Sequence, residues 1–364
     1  MNNLSIYIHL PFCVQKCNYC AFYSLPAIGD DIKNEYLRAL KAQSALFAPY
    51  EQRQVTSVYF GGGTPSLFGA ERICDLLAFL RTQYDIAHDA EITVEVNPAT
   101  VGLQGLLALR NAGVNRLSIG MQSSSDAELA MLGRIHTFAD VQTCVGSARE
   151  AGFDNISLDL LFGLPEQTLQ GFERSLRDAI ALQPAHLSVY SLQVEDGTPF
   201  CDRRAELHLP DEALEEAQYE LLCAFMQEHG YEHYEISSFA LAGHYSRHNL
   251  HYWKRGEYLG FGAAAHSHWG GKRFANEPNL HALIKNPTSF DAYKKAERID
   301  ETEMAEEDIF LGLRTSFGIP AHLVDATKVA RMEQLGLMRS HDGNVSLTER
   351  GFRVSNAVIG QLLV

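Results

Sequence analysis

Short β-rich runs recur through the first half of the chain at intervals of about 30–40 residues, with stretches of helical period between them. The runs are 4–9 (LSIYIH), 55–60 (VTSVYF), 91–96 (EITVEV), 115–121 (NRLSIGM), 155–160 (NISLDL) and 185–191 (AHLSVYS). The intervening helical stretches are 33–47, 69–83, 103–112, 138–151 and 168–182. A chain that alternates strand and helix in this way builds a parallel sheet through right-handed crossovers. The two outcomes are a doubly wound open sheet and a (β/α)6 barrel, open or closed. With 364 residues, 46% of them hydrophobic, the chain can bury one large domain with an appendage, or two domains.

Alternation inside the runs favours the barrel. In EITVEV, Ile92, Val94 and Val96 face away from Thr93 and Glu95; in NRLSIGMQ, Leu117, Ile119 and Met121 oppose Ser118, Gly120 and Gln122. Ser157 and Asp159 form the polar set of the fifth run, and Ser5, Tyr7 and His9 that of the first. Strands of a doubly wound sheet, covered by helices on both faces, read instead as near-continuous apolar runs. Here the apolar face meets the helices and the polar face lines an interior. Barrel sites lie at the C-terminal strand ends, where Glu95, Gln122, Asp159 and the loop GGGTPS (61–66) fall.

Beyond about residue 200 the pattern changes. A helix is expected over 211–229, followed by a segment, 229–268, that holds seven of the fifteen histidines, and by the glycine-rich GFGAAAHSHWGG (260–271). From about 301 the reading is a helix (302–315), further helical turns, a hairpin LMRSHDGNVSL with an Asp-Gly turn, and a last helix, the order of a winged helix. The expected division is therefore 1–200 for the barrel, 201–300 for an α+β extension and 301–364 for a winged-helix-like segment. The candidate recognition segment ATKVARMEQLG carries two basic residues and one acid, which reads as packing or a partner surface rather than DNA contact. A formal charge of −15 argues against polyanion binding in general, so no nucleic acid partner is expected. The N-terminal residues lack a basic segment followed by a long apolar one, and no run of about 18 apolar residues occurs, so a soluble cytoplasmic protein without a transmembrane segment is expected.

Three of the seven cysteines, Cys13, Cys17 and Cys20, fall within eight positions immediately after the first strand. Cys74, Cys144, Cys201 and Cys223 are scattered and read as small buried hydrophobes. For the clustered three, a structural zinc site would need a fourth ligand, for which His9 is the nearest candidate. Chance thiols or a redox pair form a second reading. The third is a [4Fe–4S] cluster held by three thiolates, which leaves one iron open to another ligand.

The spacing CxxxCxxC at the end of a first strand, with Tyr19 before the third cysteine and GGGTPS after the second strand, resembles the radical S-adenosylmethionine superfamily. That resemblance implies a partial TIM-type barrel and a cluster on Cys13, Cys17 and Cys20. It also implies S-adenosylmethionine chelated to the open iron and cleaved there by electron transfer to a 5′-deoxyadenosyl radical. YIHLPFC, GGGTPS, EVNP, RLSIGMQS, LGRIH and DLLFGLPEQT, in this order, resemble the coproporphyrinogen dehydrogenases and their sister group, the HemW heme chaperones. Carried over by motif, the S-adenosylmethionine contacts are Tyr7, Gly62, Gly63, Thr64, Glu95, Gln122, Arg134 and Asp159, with Tyr19 and the backbone at Gln193 as weaker matches.

Two features divide the sisters. The dehydrogenases place a fourth cysteine two residues after the third, where this chain has Phe22, and a long segment before the motif, where this chain has twelve residues. The HemW side is marked by HNxxYW, present as His248-Asn249-Leu250-His251-Tyr252-Trp253. Read without that context, HNLHYW is a polar helix start with packed aromatics. Within it, the segment implies a heme site at His248, Asn249, Tyr252 and Trp253, with His248 as axial ligand and His251, His244 and His266 as alternatives. The function implied is heme binding and transfer to acceptor hemoproteins, such as respiratory ones, without coproporphyrinogen dehydrogenase activity. The rival is radical decarboxylation of coproporphyrinogen III. A homodimer is compatible with either.

Overall fold

The structure, a computed structural model, describes residues 3–363. Six parallel strands form its centre: β1 (Leu4–Leu10), β2 (Val55–Gly62), β3 (Ile86–Val96), β4 (Arg116–Gln122), β5 (Asn155–Phe162) and β6 (His186–Ser191). Helices Asp30–Phe47, Ala70–Gln83, Leu103–Asn111, Phe138–Glu150 and Leu169–Ala181 connect them. Local chemistry fixes several helix starts. Thr137 and Asp140 form a reciprocal capping box, and Thr168 accepts the amide of Gly171. The strands expected from alternation are all present. The third starts five residues early, at Ile86 instead of 91: IAHDAE is too polar to read as strand, but its first residue pairs with Val55 before a register shift.

The extension continues this sheet on both sides, which alternation within the first half could not reveal. Strands β7 (Glu232–Glu235) and β8 (Ser238–Ala240) add antiparallel beyond β6, while β9 (Tyr258–Phe261), β10 (His266–Trp269) and β11 (Lys272–Ala275) add beyond β1. The order is β11-β10-β9-β1-β2-β3-β4-β5-β6-β8-β7, with β9 parallel to β1. The sheet is a partial barrel with an edge at each end.

The apolar strand faces, among them Ile6, Val58, Ile92, Leu117, Leu158 and Leu187, pack on Leu40, Leu76, Leu106, Val141 and Leu176 of the helices. The same core takes in Phe225, Phe239, Leu259 and Phe274 of the extension. A second core, built on Ile309, Leu313, Val329, Met332, Val345 and Phe352, belongs to the C-terminal segment. Helices Glu301–Gly312 and Ala326–Gln334, the hairpin Met338–His341/Asn344–Leu347 and helices Glu349–Arg353 and Ser355–Leu363 give it the winged-helix order. Asp342 and Gly343 both have positive φ at the hairpin turn, as a tight two-residue turn between twisted strands requires. No helix among the described residues is long and apolar enough to cross a membrane.

Tyr36 ties the extension to the first strand. Fully buried, its hydroxyl donates to the His9 carbonyl at 2.9 Å and accepts the Ala263 amide at 2.9 Å. Tyr36→Phe would leave both backbone groups unpaired, so it is expected to lower unfolding free energy by about 1–3 kcal/mol in chemical denaturation. A stability equal to wild type would show that water or a rearranged backbone replaces the hydroxyl.

Candidate functional site

The polar strand faces converge inside the barrel in registered rows. Ser5 stands beside Ser57, which stands beside Glu91; nearer the C-terminal ends Glu95 stands beside Ser118, and Asp159 between Gly120 and Ser188. The lower row is closed by the HNLHYW segment, the helix Arg247–Trp253. Its N-terminus points into the interior, where the Glu91 carboxylate accepts the amides of Arg247 and His248 at 2.9 and 3.0 Å. Ser246 caps the same turn by accepting the Asn249 amide. A buried carboxylate at a helix N-terminus satisfies two otherwise orphaned donors and meets the positive end of the helix dipole. His248 is 1% exposed, stacks on Tyr59 and bonds with both ring nitrogens: Nδ1 to Ser57 Oγ and Nε2 to Tyr252 Oη, each at 2.8 Å.

Above this plug lies a cavity of about 460 Å³ at the C-terminal strand ends. Cys13, Cys17 and Cys20, all half-buried, line one side of it. Their loop is held from outside the barrel strands. Asn18 donates its amide to Leu132 O and its side chain to Met131 O, Gln15 donates to Gly133 O, and Phe200 N donates to Asn18 O. Thr64 Oγ1 and Arg134 Nη1 donate to the sulfurs of Cys13 and Cys17, each at 3.6 Å. Gly63 must be glycine, because a Cβ there would stand 3.0 Å from Cys13 Sγ and 2.9 Å from Phe12 O.

The opposite wall is acidic. Glu95 accepts from Tyr59 Oη at 2.9 Å and from the Gly62 amide at 3.0 Å; Asp159 accepts from Ser118 Oγ at 3.1 and 3.0 Å. Burial, and then the charge of Asp159, push the Glu95 carboxyl up to about 7, and burial pushes Asp159 up to about 6. Two carboxyls buried in one cavity are thus poised to meet a positively charged or hydroxyl-rich guest. Gln122 adopts φ 64°, a strained backbone for a residue with a side chain, at a break in the pairing between β4 and β5.

The structure brings Tyr19, Gly62, Gly63, Thr64, Glu95, Gln122, Arg134, Asp159 and Gln193 together around this cavity. Tyr7 stacks on Tyr59 and bonds His9 Nδ1 at 3.0 Å, and Tyr59 presents its ring to the cavity. Asn249 reaches the cavity floor, whereas Tyr252 packs edge-on against Tyr258 below it. His248, the expected axial ligand, lies inside the plug with both ring nitrogens hydrogen-bonded. His251 bonds the Glu257 carbonyl at 2.7 Å, His244 is half-buried and His266 is exposed on β10. Sequence reading passed over Glu91, Ser57, Tyr59 and Ser188. Their signal was parity alone, since Glu91 shares a face with Thr93 and Glu95.

The residues present suit a cluster and S-adenosylmethionine. Three thiols line one side of the cavity, a glycine leaves room beside one of them, and two lining residues, Arg134 and Asn97, each carry a buried polar atom, Nε and Oδ1, without a partner.

The radical SAM superfamily model matches residues 7–179. Over 99% of this chain and 99% of its own length, the heme chaperone HemW of Bacillus subtilis (strain 168) is 38% identical. This chain belongs to the HemW family. HemW of Escherichia coli (strain K12) is 41% identical over 72% of this chain and 69% of its own. The mitochondrial radical S-adenosyl methionine domain-containing protein 1 of Bos taurus is 34% identical over 86% of this chain and 74% of its own. The solved coproporphyrinogen III oxidase HemN of Escherichia coli shares the fold, with a TM-score of 0.84 over 99% of this chain and 90% of its own at 23% identity. Membership of the HemW family brings with it the radical SAM barrel seen here.

Glu95 gives the site a pH signature in the ligand-free protein. An acid whose pKa is raised on folding stabilises fully below its unfolded value, near 4.5, and that contribution is lost as pH rises through about 7. Glu95→Gln is expected to flatten the fall in melting temperature between about pH 5 and pH 8. An unchanged profile would mean the carboxyl is already ionised and solvated.

Proposed function

We propose that this chain binds heme and passes it to acceptor hemoproteins in the cytoplasm, and does not decarboxylate coproporphyrinogen III. The observation that carries this reading is the full-length similarity to proteins named heme chaperones. Phe22 supports it. Where the dehydrogenases are expected to place a further thiol, it puts an apolar ring at the cavity mouth, 68% exposed.

Cys13, Cys17 and Cys20 would hold a [4Fe–4S] cluster, and S-adenosylmethionine would sit between it and the acidic wall. When bound, this pair supplies one-electron chemistry. Arg134 offers an unpaired guanidinium nitrogen to a carboxylate, Glu95 and Asp159 offer acceptors to ribose hydroxyls, and Gly63 allows close approach. Anaerobic reconstitution should load about four iron per chain, and a Cys13/Cys17/Cys20→Ala variant that keeps full cluster absorbance would refute the assignment.

For heme, we place the macrocycle at the mouth, where Val14, Phe22 and Ile135 are exposed beside the cavity. His248 would act from below by fixing the plug and Tyr59. Burying Phe22 against a porphyrin is worth about 1.5–3 kcal/mol, so Phe22→Asp should weaken heme binding about tenfold or more. His248→Ala should lower stability yet leave the Soret band of the folded fraction in place. A shifted Soret band in His248→Ala with Phe22→Asp unaffected would return the heme site to HNLHYW. Turnover of coproporphyrinogen III by the reconstituted protein, without heme affinity, would overturn the proposal as a whole.

A further inference from the structure

A second cluster of ligating side chains lies far along the chain from the cysteine motif, where the C-terminal segment meets the sheet edge. Cys223 projects from the helix Glu212–Glu228, His233 from the edge strand β7, and Glu349 from the first turn of the helix Glu349–Arg353. One ligand atom from each, the Cys223 sulfur, a His233 nitrogen and a Glu349 oxygen, lies within 4.8 Å of the others. We propose that Cys223, His233 and Glu349 form a site for a divalent transition-metal ion of the zinc class, with its fourth position open to the neighbouring cavity.

The imidazole is set for ligation. His233 is held in place by stacking on Phe239 at 4.3 Å and by Phe352 at 4.8 Å, ring centre to ring centre. Its Nε2 faces the Ile236 carbonyl at 3.4 Å, the arrangement by which a metal-bound histidine disposes of its second N–H. The remaining nitrogen, Nδ1, meets Glu349 Oε2 at 3.0 Å, where an Nδ1–H donates to the carboxylate when no metal is bound. A metal ion would take the place of that proton between nitrogen and carboxylate, with Nε2 then keeping the N–H. Tetrahedral zinc holds such ligand atoms about 3.3–3.6 Å apart, so small side-chain rotations suffice.

Two further observations agree. Tyr219, one turn before Cys223, has a buried hydroxyl without a hydrogen-bond partner. A cavity of about 340 Å³, lined by His233, Ser316, Thr348, Glu349 and Arg339, adjoins the triad and offers room for a water or an exogenous ligand. Mixed sulfur, nitrogen and carboxylate donors select a borderline ion such as zinc over magnesium or calcium. The ion would fasten the C-terminal segment to the sheet edge, where Arg353 already pairs with Glu216 and Glu220. Cys223, expected from sequence to be a small hydrophobe, would be a ligand.

The test uses reconstituted, cluster-loaded protein, so that the N-terminal thiols are occupied by iron. Titration with zinc alone should bind about one equivalent per chain without loss of iron, and X-ray absorption at the zinc edge should show a single sulfur neighbour. Cys223→Ser and His233→Gln should each weaken binding by about 100-fold or more, beyond what loss of an outer-shell partner costs. Cys74→Ser should bind as wild type. Equal zinc retention in wild type, Cys223→Ser and His233→Gln, or a zinc shell with three sulfurs or none, would overturn the site. If a variant fails to fold, the spectrum of the wild-type protein decides alone.

Discussion

The Glu91 carboxylate lies in the middle of the barrel and receives the first two amides of the Arg247–Trp253 helix. A polar-lined interior that opens at one end must be closed at the other, or water would fill it and weaken every interaction above. The plug does this with matched groups. Ser5, Ser57, His248 and Tyr252 form one chain of hydrogen bonds from strand to helix, so that no member is buried unpaired. Tyr59, stacked on His248, transmits that order to Glu95 and hence to the cavity wall.

What stands above the plug is charged on one side and sulfur-rich on the other. Burial makes ionised Glu95 and Asp159 costly, and a cationic guest would offset that cost. The cysteine loop, in contrast, is braced by the segments after β2, β4 and β6. Three separate parts of the chain therefore set the position of the thiols.

Much of this was legible in residues. The period-two alternation of EITVEV and NRLSIGMQ told which face was apolar, and the structure keeps that division. The cysteine spacing and GGGTPS were legible because close approach and ligation restrict residue choice. The HNLHYW segment was not. Six residues show a local helix start, but the carboxylate that receives it stands about 150 residues earlier in sequence, at Glu91, with nothing adjacent to mark the pairing. The same reasoning explains the sheet flanks, since β8 and β9, which attach them, are short strands whose partners β6 and β1 lie far earlier in the chain. The meeting of Cys223, His233 and Glu349 was hidden for the same reason.

The placement of β9 beside β1 bears on how the chain is made. Strand β1 has one neighbour in β2, but its other edge stays bare until residues Tyr258–Phe261 have been translated. A parallel pairing over so long a loop forms slowly. The nascent N-terminal half would therefore leave the ribosome with an exposed edge and an interior still missing its plug, two invitations to aggregation. The loop of thiols that follows β1 meets its last brace only when Phe200 has been made, well after its own strand.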